Sequence, residues 1–350
     1  MKVALQGRAQ GAQQSLYEEA GIEIKEGRCS NEDELIELIG DADGAQVGIM
    51  PLTSRYVMES CPNLKVLSRF GVGVDSIDID AATELGVMVC NVPGSNTTEV
   101  ADHAVSLLLS LTRRLYDAIS STRAGDWADN PRAMGTYTPT MRRLSGHTMG
   151  IVGFGNIGRA FATRIRGFGV SRILAHDPYV NQLAGDLFGV SLVDFDTLLS
   201  ESDFITIHCS ATSETNDLFD AEAFRRMKST ALLVNTARGP IVDEEALADA
   251  LVSGEIEAAA VDVTQVEPLP SSSRLLSLPN CYVTPHVAAM SEVFVRETAV
   301  MQAENIIRVL TGEKPHGLAN PEAIKTVAVM RHTDPGRWDG FPDFSTALQV

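Results

Sequence analysis

Short apolar runs alternate with amphipathic segments along most of the chain. From residue 1 to about residue 92, the runs KVALQG, IEIKEG, AQVGIM, LKVLSRF and VMVCNV are separated by segments such as NEDELIELIG. That alternation predicts βαβ units and a parallel sheet. A second series starts near residue 148 with TMGIVG and continues through RILAHD, FITIHC, ALLVNTA, AAAVDV and CYVTPH, which predicts a second, larger doubly wound unit. Between the two series lies TTEVADHAVSLLLSLTRRLYDAI. With Thr97 or Thr98 as cap and Glu99 in the first turn, it reads as one connecting helix of about six turns. Residues 291–311 return to a helical pattern, and EPLPSSSRLLSLPN, rich in proline and serine, reads as a loop between the last two strands.

Two long helices bracketing the second series predict that the chain leads back to the first unit. The expected boundaries are a first part over 1–97, a doubly wound domain over 98–290, a return helix over 291–320 and a tail over 321–350 with no interpretable pattern. A chain of 350 residues is long enough for two cores, and 44% hydrophobic with 21% charged residues fits a globular protein. The longest apolar stretch, AVSLLLSL, is far short of the roughly 20 residues of a membrane span. The amino terminus carries no secretory pattern, so the expectation is a cytoplasmic protein without membrane contact. A formal charge of −18 argues against nucleic acid or anionic membrane as a partner, since both call for a basic surface. Five cysteines without a CxxC pair argue for reduced thiols, against a disulfide framework and against a zinc site.

The segment GIVGFGNIGR follows a β run and opens a helix. In it Gly153 and Gly155 suit a tight turn and close backbone approach to a pyrophosphate, Gly158 suits close packing of helix on strand, and the helix start at Asn156 and Ile157 offers N–H donors. Asp177 ends the next β run about 20 residues further on, where a carboxylate can accept hydrogen bonds from the adenosine ribose. Together these predict a bound dinucleotide. The negative charge of Asp177 favours NAD over NADP, because it repels a 2′-phosphate.

Three polar residues follow later β runs: Arg238 in VNTARGPIVD, Glu267 in VDVTQVEP and His286 in VTPHVAA. Ligands of doubly wound sheets bind at the carboxyl ends of the strands, so folding can bring the three together. A guanidinium binds a carboxylate and polarises a neighbouring carbonyl. An imidazole exchanges a proton with that carbonyl oxygen, and a carboxylate beside it fixes its orientation and favours its imidazolium form. The set suits interconversion of 2-oxo and 2-hydroxy acids.

In the motifs RFGVGVDSIDIDAA, NVPGSNTTEVADHAVSLLL, GIVGFGNIGR, LLVNTARGPIVDEEAL, AAVDVTQVEP and TPHVAA, taken in that order over roughly residues 45–320, the chain resembles the D-isomer-specific 2-hydroxyacid dehydrogenase family. Its likeness is greatest to the phosphoglycerate-dehydrogenase-like and C-terminal-binding-protein-like branches. The resemblance implies a Rossmann-type NAD-binding domain inserted into a discontinuous flavodoxin-like substrate domain, catalysis between the two, and a homodimer. It implies that Arg238, Glu267 and His286 are the catalytic arginine, glutamate and histidine, and that Asp262 lies near the nicotinamide carboxamide. It also implies that Cys209, Thr236 and Ala237 lie along the dinucleotide, and that backbone at Val72 and Gly73 holds the substrate carboxylate. Ser210-Ala211, Thr264 and Ala288-Ala289 depart from the common pattern on the cofactor side.

Formate dehydrogenases of the same superfamily carry glutamine where Glu267 stands, so a small anionic 2-hydroxy or 2-oxo acid is the expected substrate. Arg55 and Arg69 are candidates to meet a phosphate or phosphonate on it. The alternative is an NAD(H)-responsive binding protein similar to the corepressor branch, with little turnover.

Overall fold

The computed structural model describes residues 1–132 and 134–343. The chain divides into two compact units, one formed by Met1–Asn96 with Ser291–Val350 and the other by Thr97–Met290.

In the first unit the strands are β1 (Lys2–Gln6), β2 (Glu23–Gly27), β3 (Gly44–Val47), β4 (Val66–Arg69) and β5 (Met88–Cys90). They form one parallel sheet in the order β2-β1-β3-β4-β5, which is the flavodoxin-like order. The central strands are buried on both faces, as expected where crossover helices cover a parallel sheet. One face receives the helix Glu292–Thr311, which buries Phe294, Ala303, Ile306, Val309 and Leu310. Its Gln302 Nε2 donates to the Ser68 carbonyl at 2.7 Å.

The tail, opaque in the sequence, contributes the helix Ala323–Thr333 and a short turn of helix at Pro335–Trp338 to this unit. Trp338 is buried, and Arg337 Nη1 donates to the Leu85 carbonyl at 2.8 Å. Lys65, also buried, pairs with Asp43 at 2.8 Å and lies 4.1 Å from the Phe341 ring centroid. Residues 344–350 of the tail lie outside the described residues.

The second unit has β6 (Thr148–Val152), β7 (Arg172–His176), β8 (Ser191–Leu192), β9 (Phe204–Ile207), β10 (Leu232–Asn235), β11 (Ala258–Val261) and β12 (Cys281–Val283). The order is β12-β11-β10-β9-β6-β7-β8, all parallel. The strand order reverses between β6 and β9, the switch point at which doubly wound sheets bind ligands.

The connecting segment differs from the sequence expectation. Its first helix is Thr97–Thr112, with Ala101, Ala104, Leu108 and Leu111 in the core, and it stops there. Arg114 takes the left-handed conformation with φ of 50°, and Arg142 N–H occupies the Thr112 carbonyl at 2.8 Å. That carbonyl would otherwise continue the helical ladder. A separate helix, Leu115–Ala124, follows. The proline- and serine-rich loop also holds a short 3₁₀ turn at Arg274–Ser277.

Candidate active site

The glycine run occupies the bend between β6 and the helix Asn156–Arg166. Gly153 has φ of 89°, and a Cβ there would stand 2.4 Å from the Cys209 backbone nitrogen, so only glycine lets the bend press against the strand-end loop of β9. A Cβ on Gly158 would stand 2.2 Å from the Gly153 carbonyl oxygen. Above Gly155, by contrast, a Cβ would meet nothing within 4 Å. Gly155 caps the helix without a side-chain hydrogen bond, which leaves the first backbone N–H groups open to an anion.

Asp177, at the end of β7, accepts from Phe154 N at 2.8 Å and Tyr179 N at 3.0 Å. These two bonds orient the carboxylate and leave lone pairs for a further donor. Gly153, Gly155, Asp177, Cys209 and His208 line one cavity of about 480 Å³. Burial pushes the Cys209 thiol up to about 11 and the His208 imidazole down to about 3, so both are neutral at physiological pH. Thr236 and Ala237, at the end of β10, and Asp262, at the end of β11, lie outside that lining.

The catalytic candidates fall on the loops after β10, β11 and β12. Gly239 presses the first of these loops onto the second: a Cβ there would lie 2.0 Å from the Thr264 carbonyl. His286 Nδ1 and Glu267 Oε2 are 2.6 Å apart, and Glu267 Oε1 accepts from Thr264 N at 3.0 Å. Burial alone raises the Glu267 carboxyl. The hydrogen bonds from His286 and Thr264 N–H and the positive charge of His286 and Arg238 outweigh it, and hold the group below the usual carboxylate range. Arg238 is half-buried and its Nη1 donates to the Ala237 carbonyl at 2.7 Å.

His286 itself stands at φ of 53°, an uncommon conformation for a residue with a side chain. Asp262 explains how it is held. The buried Asp262 carboxylate accepts from Thr284 Oγ1 at 2.6 Å, Val287 N at 3.0 Å and Ala288 N at 2.8 Å, and the Asp262 carbonyl accepts from His286 N at 2.8 Å. His103, on the helix Thr97–Thr112, brings Nε2 to 3.6 Å from the same carboxylate and 3.3 Å from Thr284 Oγ1. Sequence reasoning missed this brace: Thr284 and His103 fall within sequence motifs, but 181 residues separate them and nothing in the local pattern shows that they meet at Asp262.

In the first unit, Val72 and Gly73 lie in the turn after β4, where Asn91 Nδ2 donates to the Val72 carbonyl at 2.7 Å. The arginines expected to meet a second anion are otherwise engaged. Arg55 is ion-paired with Glu84 at 2.5 Å and Glu59 at 3.5 Å, and Arg69 is buried.

The site suits a dinucleotide. Beyond the open approach over Gly155, two buried polar atoms, Thr236 Oγ1 and His208 Nδ1, have no protein partner, and buried polar groups ordinarily have one. A switch-point cavity, a glycine bend and a terminal acid together define a Rossmann-type dinucleotide-binding unit, with an imidazole–carboxylate pair on the loops of its later strands.

Comparison with known proteins agrees. Residues 105–288 match the model of the D-isomer specific 2-hydroxyacid dehydrogenase, NAD binding domain. A glyoxylate reductase of Thermofilum pendens is 41% identical over 294 residues, covering 84% of this chain and 86% of that protein. A D-3-phosphoglycerate dehydrogenase of Archaeoglobus fulgidus is 37% identical over 305 residues, covering 87% of this chain. The matched part is only 56% of that relative's length. The TT0316 protein of Thermus thermophilus superposes with a TM-score of 0.82 at 33% identity, covering 91% of this chain and 100% of the other. The chain belongs to the D-isomer-specific 2-hydroxyacid dehydrogenase family.

Proposed function

We propose that this protein is an NAD-dependent oxidoreductase that interconverts a small anionic 2-oxo acid and its D-2-hydroxy acid, with Arg238, Glu267 and His286 as its catalytic residues. The observation that carries the reading is the 2.6 Å pairing of His286 Nδ1 with Glu267, which leaves Nε2 as the ring nitrogen for a substrate. In reduction, Nε2 gives its proton to the carbonyl oxygen as carbon 2 is reduced, and the C=O double bond becomes C–H and O–H single bonds. A nicotinamide coenzyme, when bound, would supply the hydride. Glu267, ionised, keeps Nδ1–H facing it and stabilises the imidazolium before transfer; in oxidation His286 takes the proton back. The Arg238 guanidinium binds the substrate carboxylate and polarises the carbonyl.

Val72 and Gly73 are assigned the substrate carboxylate on the strength of the GVGVD motif. Gly153, Gly155, Asn156, Ile157, Gly158, Asp177, Cys209, Thr236, Ala237 and Asp262 are assigned to the dinucleotide. The pairing of Arg55 with two acids weakens the case it made for a phosphorylated or phosphonate-bearing substrate. A homodimer fits the helix Leu115–Ala124, which buries none of its residues while Leu115, Tyr116 and Ile119, with Trp127 beyond, stay exposed. Five free cysteines fit a cytoplasmic location.

The test is NADH consumption with glyoxylate, hydroxypyruvate, phosphohydroxypyruvate and phosphonopyruvate. The reading expects turnover of at least one, reduced roughly 10²–10⁴-fold in His286→Ala. Tight NADH binding without turnover of any would favour the corepressor-like alternative.

A further inference from the structure

The cavity beside the glycine bend carries a second carboxylate that the reading above leaves unused. Glu214 lies in the loop after β9, and that loop is fixed from within. Thr215 Oγ1 donates to the Ser210 carbonyl at 2.7 Å, Thr212 N to Thr215 Oγ1 at 2.8 Å, and Glu214 N to Thr212 Oγ1 at 3.2 Å. From the loop after β7, the Tyr179 hydroxyl donates to the Glu214 carboxylate. The same loop presents Asp177, tied to Tyr179 N. Asp177 and Glu214 thus come from two loops and line one cavity, with Tyr179 joining those loops.

The cavity lining contains no lysine or arginine; its two histidines are His208, which burial keeps uncharged, and His176, whose Nδ1 lies 3.1 Å from the Val193 carbonyl oxygen. Two carboxylates with no lysine or arginine in the same lining make the space hostile to a further anion and tolerant of a neutral, hydroxyl-bearing sugar. A lone Asp177 would explain preference for NAD over NADP by itself. The bridged Glu214 is a separate feature, because it lines the same cavity from the loop after β9.

We propose that Glu214, held in place by Tyr179, is a second coenzyme-selecting residue that acts with Asp177 to exclude a 2′-phosphate. The inference rests on the NAD-dependent reading above. Glu214 and Tyr179 are both exposed, so the repulsion is screened by salt. A merely steric role would not show that dependence.

The test is fluorescence titration of the full chain with NADH and NADPH, for wild type, Glu214→Gln, Asp177→Asn and the double variant, at low and high salt. Glu214→Gln removes the charge and keeps an oxygen to accept from Tyr179. It is expected to leave the Kd for NADH within about twofold and to tighten NADPH at least about threefold at low salt, with a smaller gain at high salt. Asp177→Asn is expected to keep part of the preference for NADH, and the double variant to lose more than either alone. An unchanged NADPH-to-NADH ratio in Glu214→Gln, or full loss of preference in Asp177→Asn alone, overturns the inference and leaves the NAD reading standing. Wild type that binds neither coenzyme overturns that reading and this inference with it.

Discussion

Glu267 receives a hydrogen bond on each carboxylate oxygen, from His286 on one and Thr264 N–H on the other, and that suits it to the proposed role of orienting the imidazole. Its folded-state carboxyl lies below the ordinary value of 4.5. Its stabilising contribution is therefore complete above that value and lost as pH falls through the lowered folded value. Replacing Glu267 with Gln removes this contribution, so the curve of denaturant midpoint against pH should be flatter on the acid side than for wild type. Parallel curves would contradict the account. The same variant should lose at least about tenfold in kcat, since a misoriented imidazole transfers protons poorly. At this scale the sequence was informative where chemistry sits at a strand end: Arg238, Glu267, His286 and Asp177 are all visible that way. It was silent on Tyr179 and Glu214, which meet only because two loops fold beside each other.

Among elements, the loop after β12 shows how the candidate catalytic residue His286 is held in an unfavourable backbone conformation. The Asp262 carboxylate satisfies two backbone N–H groups and one hydroxyl around His286. Asp262→Ala would strand those donors in a buried site, at a cost of roughly 2–4 kcal/mol in unfolding free energy. It should also lower kcat through the loosened loop. Unchanged stability measured by denaturant titration would contradict this. Strands were legible because apolar runs bounded by turn residues mark them well. The two-residue β8 was too short to leave a pattern. The end of the helix at Thr112 was hidden because no glycine or proline marks it; the apolar spacing runs on through Leu115 and Ile119, and the break depends on Arg142, a residue distant in sequence.

For the whole molecule, the chain forms two parallel-sheet units and crosses between them at Asn96–Thr97 and Met290–Ser291. The return helix was visible in its pattern, whereas the tail was not. Its packing rests on scattered residues, Ala323, Val327, Trp338 and Arg337, against partners far back in the chain. Each catalytic candidate and the glycine bend belong to the second unit, and the central claim is that this unit passes hydrogen from nicotinamide to carbon 2 of a 2-oxo acid under the control of His286. The most direct measurement supplies NADH deuterated at the transferable C4 position with glyoxylate and the other 2-oxo acids, and reads the product by NMR. The account predicts deuterium on carbon 2 of a 2-hydroxy acid, with the rate lowered roughly 10²–10⁴-fold in His286→Asn. Bound NADH with no deuterium in any product, or transfer undiminished in that variant, would contradict it.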